Sequence, residues 1–292
     1  MPITGENIPV MVHYDRFYRM EKGYMGALRE IIDEHIQFKS QIFKLAKSDL
    51  HKTYSGAALG WSWAVVQPMV TIFVFWFGFT VGLRTGKPIE GYPYFLWLVA
   101  GFLPWFYMSD CLTGGANCIR KYKYLVTKMK FPISVIPTYF NLSHLFVHFV
   151  LLGITVLVFA LFGYMPDIYM LQIPLYMLMM FVFFIIWSLF SGLLSCISKD
   201  FLNLVKAGAR AIFWLSGIIF NVDTIHIPWI KVLLKFNPIT VVASGYRNTF
   251  IYKKWFFETP IDMYCYLITL SVFILLALWA FKKLRKEIPD VL

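Results

Sequence analysis

The sequence predicts an all-α integral membrane protein with six transmembrane helices, and three observations carry that prediction. The chain has 292 residues, of which 59% are hydrophobic and only 15% charged, where a soluble domain averages about 25% charged. Six stretches, at 61–83, 93–117, 138–162, 172–197, 202–222 and 261–281, reach the ~20 predominantly apolar residues that a helical span needs. None of them alternates with a period of two, which excludes a barrel and leaves helices as the way to hide backbone polar groups in lipid.

Taken in order, residues 1–37 are polar and mixed in charge, without a cleavable signal peptide, and read as an N-terminal cytoplasmic segment to which no role attaches. The first span then inserts the chain. Residues 38–54 place Phe38, Ile42, Leu45, Ala46 and Leu50 near helical spacing, with lysines on the remaining faces. Such a helix just before a span is expected to lie in the membrane interface. The remainder, 55–292, is one six-span domain.

Within the second span, Pro104 removes a backbone donor, so a kink or break is expected there. Asp110 follows it, an acid at membrane depth and hence a functional candidate, with a cap or an interhelical hydrogen bond as the plain alternative. The loop RKYKYLVTKMKFP, residues 120–132, holds five basic residues and no acid. On a short helix its Tyr122, Leu125, Val126 and Met129 fall at i, i+3, i+4 and i+7, one apolar face that needs a partner. Lys128 and Lys130 stand on its rim, and Pro132 ends the element.

His144 and His148 share a face of the third span at i, i+4; packing and interhelical hydrogen bonds are expected of them rather than metal. Lys206 and Arg210 share a face at the entrance of the fifth span, where charges face a cavity or partner, or snorkel to the headgroups. Between the fifth and sixth spans the chain is too apolar for a solvated loop and is interrupted by Pro228 and Pro238. A re-entrant helical pair fits that pattern.

The net charge of +11 is explained by topology. Twenty of 27 Lys and Arg fall on one side of the six-span map, which places both termini in the cytoplasm and makes nucleic acid binding a poor reading. The four cysteines have no metal-ligand spacing and read as packed thiols. Gly82–Lys87 lacks the glycine spacing and the following Ser or Thr of a phosphate-binding loop. No hydrolytic motif is present either, so any energy for work comes from another subunit.

Asp49-Leu50, Tyr54, Leu59-Gly60, Trp63, Gln67-Pro68 and the run Gly101-Phe102-Leu103-Pro104-Trp105 resemble the ABC transporter permeases that export polysaccharides and teichoic acids. The likeness continues through Leu125-Val126, Lys128, Phe131-Pro132, Lys199-Asp200, Leu215-Ser216, Asn237-Pro238, Tyr246-Arg247 and Asp290-Val291-Leu292. Departures include Thr53 where an arginine is usual, Ala57 where a serine is usual, Gly217 where a proline often follows the serine, and the charges at Lys206 and Arg210.

The resemblance implies a homodimer in the cell membrane with two copies of an ABC ATPase beneath it. This chain would hold no cofactor, ATP and Mg being bound by the ATPase. The cargo implied is a lipid-linked anionic polymer, teichoic acid first and polysaccharide otherwise. Tyr122, Leu125, Val126, Lys128, Met129 and Lys130 are then the ATPase-coupling candidates. Lys206, Arg210 and Lys52 are candidates for the cargo's phosphate or lipid head, since guanidinium and ammonium groups suit phosphate oxygens. Trp61, Trp63, Phe73 and Phe213 are candidates to line the passage, where rings stack on sugar faces. A membrane-embedded transferase acting on lipid-linked glycans, and a drug or lipid exporter, are the competing readings; the first needs an acid/base constellation that is not recognisable here.

Overall fold

The computed structural model describes residues 24–54, 60–129 and 131–291, and its regular elements are helices. Lys130, Ala57, Leu59 and Leu292 lie outside the described residues, as does 1–23 of the N-terminal segment. In chain order the helices are α1 (Tyr24–Gln37), α2 (Lys39–Tyr54), α3 (Trp63–Phe77), α4 (Tyr94–Lys121), α5 (Lys123–Thr127) and α6 (Val135–Leu161). They continue with α7 (Ile173–Ile197), α8 (Lys199–Leu215), α9 (Pro228–Lys235), α10 (Pro238–Arg247), α11 (Pro260–Leu284) and α12 (Ile288–Val291). A π turn, Gly78–Gly82, extends α3, and another, Asn248–Tyr252, extends α10. Proline opens several of them: Pro174, Pro228, Pro238 and Pro260 sit in the first helical turn, where the missing N–H costs nothing.

Five helical segments among the described residues are long and apolar enough to cross a membrane: Gly60–Gly82, Tyr94–Thr127, Val135–Leu161, Ile168–Ile197 and Pro260–Leu284. The expected span at 202–222 is not one of them. Its helix, α8, has 17 residues, about 25 Å of rise against a hydrocarbon core of about 30 Å. It is strongly amphipathic, with Leu202 and Val205 buried and Lys206 and Arg210 exposed. The chain then turns at Gly217, φ +65°, a conformation that proline, fixed near −65°, does not adopt.

Helix α4 is the axis of the bundle and the most buried of the long helices, packing against α6, α7, α8 and α10. It runs uninterrupted through Pro104, so the expected break is absent. Pro104 and the turn before it, Gly101, Phe102 and Leu103, are buried, where neighbouring helices support the backbone around the lost hydrogen bond. Helix α3, by contrast, is the least buried of the five. One apolar core joins α4, α6, α7 and α10. A second lies at the end of the bundle that holds α1, α2, α5, the start of α6, the ends of α7 and α11, and α12.

Helix α1 was not evident as an element in the sequence. It buries Ala27 on α11 and α6, and polar contacts fix it: Glu30 pairs with Arg285, Glu34 accepts from the Ser134 hydroxyl, and His35 Nε2 lies 2.6 Å from Thr138 Oγ1. Burial raises the Glu34 carboxyl from its usual 4.5 to about 7, the Ser134 hydrogen bond acting in the opposite sense. Helix α2 coincides with the expected interface helix and lays Ile42, Ala46 and Asp49 onto α6.

Candidate functional site

An open groove of about 440 Å³ runs between α3, α4 and α8. Helical spacing builds it. On α8, Lys206, Ala209, Arg210 and Phe213 fall on one face, while Leu202 and Val205 are turned into the bundle. Thr71 and Phe75 of α3 face them, with Phe102, Trp105 and Thr113 of α4 as the floor. Phe213 is the centre of a ring cluster, its centroid 5.4 Å from Phe75, 5.2 Å from Trp105 and 5.8 Å from Phe102. Along α8 the two cations, Lys206 and Arg210, precede the ring of Phe213. The arrangement offers charge to an anion and flat apolar faces to a sliding ring in succession along one wall.

The structure thus brings Lys206, Arg210 and Phe213 together and separates the other candidates from them. Phe73 lies on another flank of α3, in an apolar groove with Val65, Met69, Leu151 and Thr155. Trp63 borders a small polar pocket between α3, α4 and α6. Trp61 is exposed ahead of α3, and Lys52 is exposed on α2, neither lining the groove. Phe75, Trp105 and Trp214 are the groove's further aromatic members; their spacing alone does not distinguish them from lipid-facing rings.

The loop between α4 and α6 needs a correction. Tyr122, Leu125 and Val126 do not face outward: their exposures are 8%, 2% and 5%, inside the chain's own second core. Tyr122 is a non-helical cap rather than part of the short helix, so the expected continuous face does not form. The exposed residues there are Lys121, Lys123, Tyr124, Thr127, Lys128 and Met129. The Tyr122 hydroxyl donates to the Asp49 carboxylate, which also accepts from Ser143 Oγ at 3.0 Å and pairs with Lys121 Nζ at 3.3 Å. In the sequence Asp49 stood out only as part of the Asp49-Leu50 pair in the family resemblance, with nothing to mark it as a buried acceptor.

Arg247 is buried, with its guanidinium carbon 3.4 Å from the centre of the Trp97 ring. It donates to the carbonyls of Trp97, Gly217 and Ile218, closing the turn beyond α8. A Cβ at Gly101 would overlap this guanidinium, so the glycine clears its path. Arg120 does similar work at the end of α7, donating to Ser195 and Cys196 carbonyls at 2.6 and 3.0 Å. On the far side, Lys235 bridges Asp223 and Asp262 at 3.2 and 2.6 Å, and Lys231 reaches Asp223 at 3.1 Å. Burial raises the Asp223 carboxyl, but its two ammonium partners more than offset this and leave it lowered.

His148 Nε2 lies 2.8 Å from Tyr246 Oη, an interhelical bond as expected, whereas His144 bonds the Phe140 carbonyl of its own helix. No group of three metal-ligating side chains occurs among the described residues.

Residues 40–251 match the family model described as ABC-2 type transporter. Among curated proteins, the chain is 23% identical over 265 residues to a protein named O-antigen export system permease protein RfbA from Myxococcus xanthus, covering 89% of this chain and 98% of that protein. It is 26% identical over 253 residues to a Klebsiella pneumoniae protein of the same name, covering 85% and 93%. A model match across well over half the length, on a multi-helix membrane architecture, assigns the family: the chain belongs to the ABC-2 type transporters.

Proposed function

We propose that this chain is the membrane subunit of an ATP-driven exporter that moves a lipid-linked polysaccharide outward across the cell membrane. The observation that carries the reading is the α3–α4–α8 groove, in which two cations precede a cluster of aromatic rings. A phosphate-bearing lipid head suits Lys206 and Arg210, and sugar rings suit the faces of Trp105, Phe75 and Phe213. The names of the relatives favour an O-antigen type polysaccharide over teichoic acid. In this reading two copies of the chain pair, and two copies of a separate ATPase, which binds ATP and Mg, supply the work. The basic end of the bundle faces the cytoplasm with both termini. Helix α8 with the turn beyond it makes the sixth crossing, and α9–α10 form a re-entrant pair. Coupling to the ATPase falls to the exposed Lys123, Tyr124, Lys128 and Met129.

The test is uptake of radiolabelled polymer into vesicles holding the co-purified complex. ATP-dependent uptake is expected. Absence of uptake with an intact complex, or robust ATP turnover by the purified chain alone, overturns the reading.

A further inference from the structure

The small pocket beside Trp63 is not absorbed by this function. It has a volume of about 110 Å³ and opens between α3, α4 and α6, with Trp63, Gln67, Ser109, Asp110, His144 and His148 among its walls. Asp110 is the one acid within α4 and stands 11 residues before its end, about 16 Å along the helix. The described residues give its carboxylate no hydrogen bond or ion pair, and His144 borders the same pocket. Because His144 Nδ1 faces the Phe140 carbonyl at 2.9 Å, it carries the proton there, and in the neutral ring Nε2 is left as an acceptor. His148, 1% exposed, borders the same pocket and holds Tyr246 Oη at 2.8 Å through Nε2. An ionisable group at such depth costs free energy unless something satisfies it.

The ligand chemistry follows by elimination. A carboxylate on the wall disfavours a bare anion. Metal is disfavoured by the lack of a third ligand. An alkyl chain leaves the carboxylate, amide and imidazole unsatisfied. A polyhydroxylated ring satisfies all of them, its hydroxyls donating to Asp110 and His144 and exchanging bonds with Gln67, with Trp63 as a stacking face. The position is apt. Gln67, Thr71 and Phe75 succeed one another at i, i+4 and i+8 on α3, so the pocket and the groove use adjoining turns of that helix.

We propose that this pocket is a sugar-recognition subsite, with Asp110 and Gln67 the specificity-determining residues for one ring of the passing glycan. The proposal rests on the exporter reading for its biological ligand, but its test does not. The complex with its ATPase, in lipid nanodiscs, is titrated with methyl α-D-mannoside, α-D-glucoside and α-D-galactoside while tryptophan emission is followed. At least one glycoside is expected to bind in the millimolar range with a signal that disappears in Trp63→Phe. Its affinity should fall about tenfold in Asp110→Leu, as for loss of hydrogen bonds to a charged group, and by several-fold in Gln67→Leu. Asp110→Asn, which keeps the shape, should also weaken binding, so a folding failure of the leucine variant leaves the idea testable. A structural role alone would lower thermal stability and leave glycoside affinity untouched. Equal affinity in Asp110→Asn, Gln67→Leu and the parent, or no binding of any glycoside at about 100 mM, where the binding free energy is only about −1.4 kcal/mol, overturns the subsite. Polymer uptake that continues normally in that case leaves the exporter reading standing, whereas absent uptake with Asp110-dependent sugar binding overturns only the exporter reading.

Discussion

Tyr122, which caps the loop after α4, donates its phenolic hydrogen to Asp49 on the helix that precedes α3. Two elements separated by a membrane crossing and its return are thereby fastened at one buried carboxylate, 4% exposed. Removing the acceptor leaves the Tyr122 and Ser143 hydroxyls without it. Asp49→Ala should lower stability by about 1–3 kcal/mol, and Tyr122→Phe by about 1 kcal/mol. Thermal unfolding in detergent measures both, and an unchanged Tm in Asp49→Ala would show that the fastening carries no weight.

The loop beyond that fastening makes a paired forecast. Leu125→Ala empties a buried site and should destabilise the chain by about 2–4 kcal/mol. Tyr124→Ser with Met129→Ser, both exposed at 42% and 62%, should leave Tm within about 0.5 kcal/mol equivalent yet weaken co-purification of the ATPase. Undiminished co-purification in the exposed pair would remove this loop from coupling.

Glu34 predicts a pH dependence. Its carboxyl sits at about 7 in the folded chain against a usual 4.5, so between those values the folded state holds a proton that the unfolded chain has released. Stability therefore falls as pH rises through this window and levels off above it, by on the order of 1–3 kcal/mol. Glu34→Gln should flatten the slope of Tm against pH from 4.5 to 7. A slope as steep as that of the parent would assign the effect to other groups.

Charge in the groove is tested at Arg210. Arg210→Gln should cut ATP-dependent polymer uptake by about tenfold, the scale of one charge-assisted hydrogen bond. Arg210→Lys should recover only part of it, since an ammonium does not reproduce the guanidinium's two-pronged contact. Uptake in Arg210→Gln equal to the parent's would take the residue out of the path.

Gly101→Ala places a methyl group where the Arg247 guanidinium lies. It should destabilise as Arg247→Ala does, and the double variant should be no worse than either alone, because both break the same contact. Additive losses in the thermal unfolding of the three variants would contradict that coupling.

The long spans were legible because apolar runs of their length have one physical solution in lipid. The shortfall of α8 was not, because apolar residues continue to Phe220 while the helix stops at Ser216 and Gly217, and hydropathy does not sense a left-handed backbone position. Helix α1 does carry an apolar period, with Leu28, Ile31 and Ile32 at i, i+3 and i+4, but the Glu30, Glu34 and His35 contacts that hold it are made to residues distant in sequence, which spacing does not show. In the loop, helical spacing joined Leu125 with Val126 correctly, yet spacing says nothing about whose surface they meet; that surface is the chain's own. The groove was partly legible, through Lys206, Arg210 and Phe213 on one face. Its α4 floor was not, since Phe102 and Trp105 lie in a run where nearly every residue is apolar.

Arg247 has an electrostatic consequence for the end of α8. A helix terminates in roughly half a negative charge carried by its unpaired carbonyls, and α8 ends beside the rings of the groove. The guanidinium bound at the Gly217 and Ile218 carbonyls places a full positive charge over that terminus. The negative end of α8 is thereby offset at the point where the helix gives out, by a charge that α10 supplies from across the bundle.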